Sequence, residues 1–204
     1  MTTNISGNFN TSLTEVAIVK KILSQEGISY LSVYKSPYSD DEDVAVNFSD
    51  GSSITIEVKE EKLERINKYN DLGIDYISAF YFISANDEFY WKGSPKSPTA
   101  LNNFESKINI QKLGKIFYSK AELWLFYCLN IDGTISFAEW YLGSDMTSAN
   151  FIQYLRLNCS FSVNNKTASQ LSHSDSHQSA VFFINRNDPY LLTLKKDIKD
   201  LLNR

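Results

Sequence analysis

The sequence is poor in the residues that build extracellular scaffolds and transition-metal sites. It contains two cysteines and two histidines among 204 residues. Cys128 and Cys159 do not form a metal-like pair, and two cysteines do not make a disulfide framework. His173 and His177 have a spacing that would pair them on a helix, where they could bind zinc. Their serine-rich surroundings favour a solvated loop instead.

Long apolar runs are missing as well. No run approaches the length of a membrane span. The first ten residues lack the positive region followed by an apolar one that marks a signal peptide. We therefore expect a cytoplasmic protein that does not enter a membrane and whose two thiols are free.

The composition is that of an ordinary globular chain, with 43% apolar and 22% charged residues. Its length predicts one domain over residues 1–204. The net charge of −4 is unevenly shared, because residues 1–84 hold 7 basic and 13 acidic residues, whereas residues 85–204 hold 13 and 11. A negative chain argues mildly against nucleic acid, since phosphate neutralisation supplies most non-specific affinity. An acidic, metal-binding half beside a basic segment is nevertheless what a metal-dependent nuclease would have.

The most informative stretch is residues 43–59, which predicts a β-hairpin. Two alternating runs flank Ser49-Asp50-Gly51, a three-residue loop in which Gly51 takes the left-handed position. This loop sets a register in which Ala45 faces Thr55 and Asp43 faces Glu57. Side chains alternate across a strand. The polar face of the hairpin therefore carries Asp43, Ala45, Asn47, Ser53, Thr55, Glu57 and Lys59.

Two carboxylates and an amine thus converge at the open end of that face. Two neighbouring carboxylates repel unless a cation lies between them, and hard oxygen ligands suit Mg²⁺. A lysine two residues along the same strand can orient or deprotonate an attacking water. The alternative is an ordinary solvated hairpin face, because Glu-x-Lys is common on exposed strands.

Asp43 followed by Glu57-Val58-Lys59 resembles the PD-(D/E)xK motif of the restriction-endonuclease-like nucleases, with Glu42 where that family has proline. The resemblance implies that Asp43, Glu57 and the carbonyl of Val58 hold Mg²⁺ or Mn²⁺, while Lys59 serves the attacking water. Relatives often carry an acid on the first helix that reaches the metal through water. Glu15 would be that acid here, and a solvated charge near a helix N-terminus is the equal alternative.

The order of the predicted elements matches that family's common core. Helical spacing over residues 13–23, a strand over 28–34, the hairpin, a helix over 60–70 and an apolar strand over 76–84 give α-β-β-β-α-β. We therefore predict an α/β fold with a mixed central sheet and a nuclease-like core at residues 13–84. Residues 85–204 would form a C-terminal elaboration of strands and helices that recognises substrate or supports a dimer.

Within that elaboration we predict a strand at residues 88–91 and a helix over 101–113. A second hairpin is expected around Ile131-Asp132-Gly133, followed by a helix capped by Asp145. A strand at 181–184 and a C-terminal helix opened by Asp188-Pro189 complete the chain. Lysines are concentrated between residues 92 and 120, with Glu105 the only acid. We expect DNA phosphates to contact Lys92, Lys96, Lys107, Lys112, Lys115 and Lys120.

These features together predict a metal-dependent endonuclease that hydrolyses phosphodiester bonds in DNA. A homodimer is compatible with this activity, since cutting both strands needs two sites. The rival hypothesis is a nuclease-like module without catalysis, or an interaction protein with an aromatic-rich surface. The sequence is 14% aromatic, and Trp91, Trp124 and Trp140 fall on predicted strands.

Overall fold

The structure is a computed structural model of the chain and describes residues 6–38, 42–91, 95–165 and 178–202. Two short 3-10 helices, Pro98–Ala100 and Lys115–Phe117, accompany the longer elements. In chain order these are α1 (Ser6–Gln25), β1 (Ser32–Lys35), β2 (Val44–Asn47), β3 (Ser53–Glu61), α2 (Leu63–Tyr69), β4 (Asp71–Phe82), α3 (Ala85–Trp91), α4 (Leu101–Glu105), β5 (Ile108–Leu113), β6 (Leu123–Leu129), β7 (Ile135–Leu142), α5 (Gly143–Met146), α6 (Ala149–Asn158), β8 (Ser160–Asn165), β9 (Gln178–Asn185), α7 (Pro189–Leu194), β10 (Lys195–Lys196) and α8 (Ile198–Leu202).

The chain divides into two units, and the first comprises Met1–Lys68, Ser119–Met146 and Pro189–Arg204. Its sheet has the strand order β1-β2-β3-β6-β7-β10. β3 and β6 run parallel, and the remaining neighbours in this sheet are antiparallel. The expected mixed sheet in an α/β protein is therefore present.

One face of this sheet packs against α1 and α8. Because side chains alternate along a strand, the even-numbered residues of β2 and β3 point to this face. They pack with apolar side chains of the two helices, including Val19, Leu23 and Ile198, in a single buried cluster. The opposite face therefore receives the odd-numbered residues of β3, among them Glu57 and Lys59.

Two similar turns close the hairpins of this sheet. Asp50 Oδ1 accepts hydrogen bonds from Ser52 N (2.9 Å) and Ser52 Oγ (2.6 Å), and Asp132 Oδ1 does the same with Thr134. Gly51 and Gly133 follow the aspartates with φ of +87° and +78°, in the left-handed region that favours glycine. Both predicted hairpins are confirmed. The register predicted for the first, with Ala45 opposite Thr55 and Asn47 opposite Ser53, is also confirmed.

The second unit comprises Tyr69–Tyr118 and Thr147–Asp188. Its antiparallel sheet has the order β5-β4-β9-β8. Aromatic rings fill its core: Phe104 lies 5.3 Å from both Phe80 and Trp91 and 5.2 Å from Phe161, measured between ring centroids. Each aromatic side chain buries a large apolar area, so a few such residues contribute much of the stability of a core.

The placement of residues 76–84 corrects the predicted core. This apolar run lies largely in β4, which pairs with β5 and β9 in the second sheet. The strand that lies parallel to β3 is β6 instead. An apolar run shows that a strand is buried, but the choice of sheet depends on long-range pairing that local sequence does not encode.

Other predicted elements also change. Residues 88–91 lie in helix α3, and the predicted helix over 101–113 ends at Glu105 and gives way to β5. Ser148, and not Asp145, caps the helix that follows β7, because its side chain accepts a hydrogen bond from Phe151 N at 3.1 Å. No helix in the described ranges combines the length and apolar character that a membrane span requires.

Candidate active site

Asp43 lies against the backbone of β3 at the point where β2 begins. Its N–H donates to Ile56 O at 3.1 Å, and its carboxylate Oδ2 accepts from Val58 N–H at 2.9 Å. β2 starts at Val44, whereas β3 continues to Glu61, so the second half of β3 extends beyond its partner. The Asp43 carboxylate therefore lies beside the peptide that joins Glu57 to Val58.

Val58 presents a carbonyl at the same edge. The N–H and C=O of one strand residue point to the same side of the strand, as the paired bonds of a sheet require. Since Val58 N–H meets Asp43, the Val58 carbonyl is also directed toward the edge that β2 leaves uncovered. This is the carbonyl that the motif resemblance implicates in metal binding.

Glu57 and Lys59 form a close ion pair on the face opposite α1. Lys59 Nζ lies 2.6 Å from Glu57 Oε1, and the two side chains are 21% and 0% exposed. A carboxylate removed from water is costly unless a cation and hydrogen bonds compensate it. Lys59 supplies that cation, and its partial exposure leaves the ammonium near the surface.

The donor set suits a hard cation. Among the described residues, no group of three or more acidic, histidine or cysteine side chains is arranged to hold a metal by itself. Two carboxylates and one backbone carbonyl are nevertheless the oxygen ligands that Mg²⁺ accepts, and this ion usually keeps several waters. The chemistry of Asp43, Glu57 and the Val58 carbonyl therefore fits Mg²⁺ or Mn²⁺.

Glu15 is associated with the other face of the sheet. Burial raises the pKa of the Tyr127 hydroxyl, and the charges of Glu60 and Glu15 raise it further. Tyr127 O–H donates to Glu60 Oε2 at 3.3 Å, and Tyr127 belongs to the core that α1 covers. This placement does not support a role at Glu57, and the predicted role of Glu15 stays a prediction.

The predicted DNA-binding lysines are divided between the two units. Lys92 lies outside the described residues, as do His173 and His177. Lys120 belongs to the first unit, and Lys96, Lys107, Lys112 and Lys115 to the second. Lys96 Nζ lies 4.7 Å from the centre of the Tyr90 ring, and Lys107 Nζ is 4.0 Å from Asp87 Oδ1.

Another buried acid, Glu139, lies on the same face of the sheet as Glu57 and was not predicted as a site residue. Glu139 is 3% exposed, accepts a hydrogen bond from Tyr141 O–H at 3.1 Å and lies 2.9 Å from Lys195 Nζ. The pair joins β7 to β10. An acid at an inward position of a predicted strand was the available signal, but Lys195 as its partner was not predictable.

The comparisons with protein families, curated proteins and solved structures yield no match.

Proposed function

We propose that the chain is a metal-dependent endonuclease that hydrolyses phosphodiester bonds in DNA. The observation that carries the proposal is the convergence of Asp43 and the Glu57-Val58-Lys59 strand. Asp43 Oδ2 accepts from Val58 N–H at 2.9 Å, while Lys59 Nζ lies 2.6 Å from Glu57 Oε1. Asp43 thus contacts the peptide that follows Glu57, and Lys59 contacts the Glu57 carboxylate itself.

The topology supports the same proposal. With β6 as its last strand, the first unit contains the order α-β-β-β-α-β, in α1, β1, β2, β3, α2 and β6. The strand order β1-β2-β3-β6 follows the chain order of these strands, and β6 is parallel to β3. A restriction-endonuclease-like core would then carry the second unit between α2 and β6 and again after α5.

Each residue of the site has a separate role in the proposed reaction. Asp43, Glu57 and the Val58 carbonyl would hold Mg²⁺ or Mn²⁺. When bound, the metal supplies positive charge that stabilises the phosphate oxygens and makes a water easier to deprotonate. The Lys59 ammonium would orient the attacking water and stabilise the negative charge that develops on the scissile phosphate. Cutting both strands of a duplex would require two such sites, and hence a homodimer.

A catalytically inactive nuclease-like binding module is the second candidate. The observation in its favour is that two of the site residues have structural partners. Lys59 neutralises a buried carboxylate, and Asp43 terminates the β2–β3 pairing by accepting Val58 N–H. The form of this hypothesis that uses surface tryptophans has less support, because Trp91, Trp124 and Trp140 are at most 4% exposed.

Cleavage of plasmid and branched DNA, with and without Mg²⁺, tests the two candidates. We expect nicking or linearisation only with the metal, and its loss in Asp43→Asn, Glu57→Gln and Lys59→Met. Glu60→Gln is the matched control, because Glu60 lies on the same strand but on the opposite face. Metal-dependent cleavage by Asp43→Asn at the wild-type rate would remove Asp43 from the mechanism. DNA binding without cleavage under any metal would favour the inactive module.

A further inference from the structure

Trp124 is the neighbour of Glu57 on the adjacent strand. The parallel pairing of β3 with β6 places Glu57 opposite Trp124 and Lys59 opposite Phe126. Partners in register point their side chains to the same face of a sheet, so the indole and the carboxylate lie side by side. Both side chains are fully buried, each at 0% exposure.

The indole N–H of Trp124 is buried without a hydrogen-bond acceptor among the described residues. The Trp124 ring packs near the Phe126 ring, at 6.1 Å between centroids, and Phe126 offers no side-chain acceptor. Buried donors in native proteins almost always have a partner, and a buried tryptophan usually finds one for its N–H. An orphaned donor beside a carboxylate therefore requires an explanation.

The ion pair between Lys59 and Glu57 provides one. Lys59 Nζ contacts Glu57 Oε1 at 2.6 Å, so the carboxylate is held by the lysine in the arrangement that the structure describes. A carboxylate accepts several hydrogen bonds through its two oxygens. A carboxylate that turns toward a metal can therefore accept from a neighbouring N–H that it does not meet in the ion-paired state.

We propose that Trp124 is a positioning residue of the metal centre, whose indole N–H donates to a carboxylate oxygen of Glu57 in the metal-loaded protein. This inference rests on the proposed function, because it requires Glu57 to bind the metal. Groups that orient metal ligands in this way typically change metal affinity 10–100-fold when they are removed. Trp124 would act through Glu57 and would not contact the substrate.

Nuclear magnetic resonance on the ¹⁵N-labelled chain of 204 residues tests the hydrogen bond directly. The three tryptophans give three indole N–H signals, which Trp→Phe variants assign. On titration with Mg²⁺ alone we expect the Trp124 signal to move downfield and to saturate, while the signal of Trp140 stays in place. Trp140 is the matched control, because it is buried in the core on the α1 side of the same sheet. Glu57→Gln should abolish the shift.

Calorimetric titration with Mg²⁺ gives the second measurement. Trp124→Phe keeps an aromatic ring and removes the donor, so we expect Mg²⁺ affinity to fall about tenfold, with Trp140→Phe unchanged. Wild-type affinity in folded Trp124→Phe, or a Trp124 signal that ignores bound Mg²⁺, would overturn the inference while leaving the nuclease proposal intact. If Trp124→Phe does not fold, the signal shift in the wild type and in Glu57→Gln decides.

A wild-type chain that binds no Mg²⁺ would overturn both proposals. Mg²⁺ binding with the shift but no DNA cleavage would overturn the nuclease proposal alone.

Discussion

At the scale of single residues, the ion pair between Lys59 and Glu57 links stability to the proposed chemistry. The Lys59 ammonium, which is proposed to act on the attacking water, also has a structural partner, because Glu57 is fully buried and Lys59 Nζ lies 2.6 Å from its Oε1. Removing one partner of a buried pair leaves a charge without compensation.

We therefore expect Lys59→Met to lower the free energy of unfolding by about 3 kcal/mol, the lower end of the range for such pairs because Lys59 is partly exposed. Glu57→Gln should cost less, about 1 kcal/mol, because it removes the buried charge itself. In the double variant the costs should not add, and urea denaturation of all four proteins measures the coupling. Additive costs would mean that the ion pair contributes nothing to stability. Because Lys59→Met is expected to be less stable, its DNA cleavage should be compared with the wild type only where the variant is folded.

A second charged cluster, in the second unit, makes stability depend on pH. Arg156 Nη1 and Nη2 donate to Glu105 Oε1 and Oε2 at 2.6 and 2.8 Å, and Tyr76 O–H donates to the same carboxylate. Burial by itself would raise the pKa of Glu105, but the hydrogen bonds from Arg156 and Tyr76 outweigh it and hold the pKa below its usual value. The folded state thus favours the ionised carboxylate.

A depressed carboxyl pKa contributes stability above the pKa of the unfolded chain and loses it as pH falls through the folded pKa. We expect Glu105→Gln to cost about 1–2 kcal/mol near neutral pH, discounted because the cluster is partly exposed. This difference from wild type should shrink as the pH is lowered from about 6 to about 3. Chemical denaturation across that range measures it, with Glu64→Gln, at an exposed position of α2, as a surface-carboxylate control. A difference independent of pH would assign the cost to packing.

At the scale of elements, two glycines are needed for different reasons. Gly143 allows two backbones to pack closely, and Gly27 allows a left-handed backbone conformation. A Cβ on Gly143, where β7 ends and α5 begins, would lie 1.8 Å from Ala121 O. Gly143 N–H also donates to Glu122 O at 2.8 Å, so the two backbones are tied together there. Gly27 after α1 is the contrast, because its φ is +72° but nothing lies within 4 Å of its Cβ position.

Gly143→Ala should therefore cost about 3 kcal/mol or more, since backbone and not a flexible side chain must move. Gly27→Ala should cost only about 1 kcal/mol, the penalty of a left-handed alanine. Thermal or urea unfolding of the two variants gives the comparison. Equal costs would show that the backbone near Ala121 can move away from a new Cβ at little cost in free energy.

The elements also show what sequence can and cannot predict. The hairpin at Asp50-Gly51 was predictable to the residue, because the turn chemistry is local and the alternating pattern allows only one register. The helical state of residues 88–91 was not, because a short apolar run fits either a helix or a strand. The motif pair Glu57 and Lys59 was visible from its spacing, whereas Trp124 became visible only once β6 was paired with β3.

At the scale of the whole molecule, the distribution of lysine side chains bears on where DNA would bind. Two lysines of the C-terminal segment are engaged: Lys195 lies 2.9 Å from Glu139, and Lys199 lies 3.7 Å from Glu26. Lys112 lies on the exposed strand β5, with its Nζ 5.8 Å from the Tyr118 ring centre, and Lys115 follows three residues later. Contacts of Lys112 and Lys115 with DNA phosphates stay a prediction.

We expect reversal of Lys112 and Lys115 to Glu to weaken binding to any DNA sequence. Each lost phosphate contact should lower the slope of log affinity against log salt by about one unit. Fluorescence anisotropy without divalent metal, at several salt concentrations around 100 mM, measures binding while the DNA stays intact. Mg²⁺ affinity should be unchanged, because neither lysine belongs to the proposed metal centre. The matched variant reverses Lys196 and Lys199. If that pair and not the first lowers the slope, the DNA contacts lie on the C-terminal segment, and Lys112 and Lys115 serve only the surface of β5.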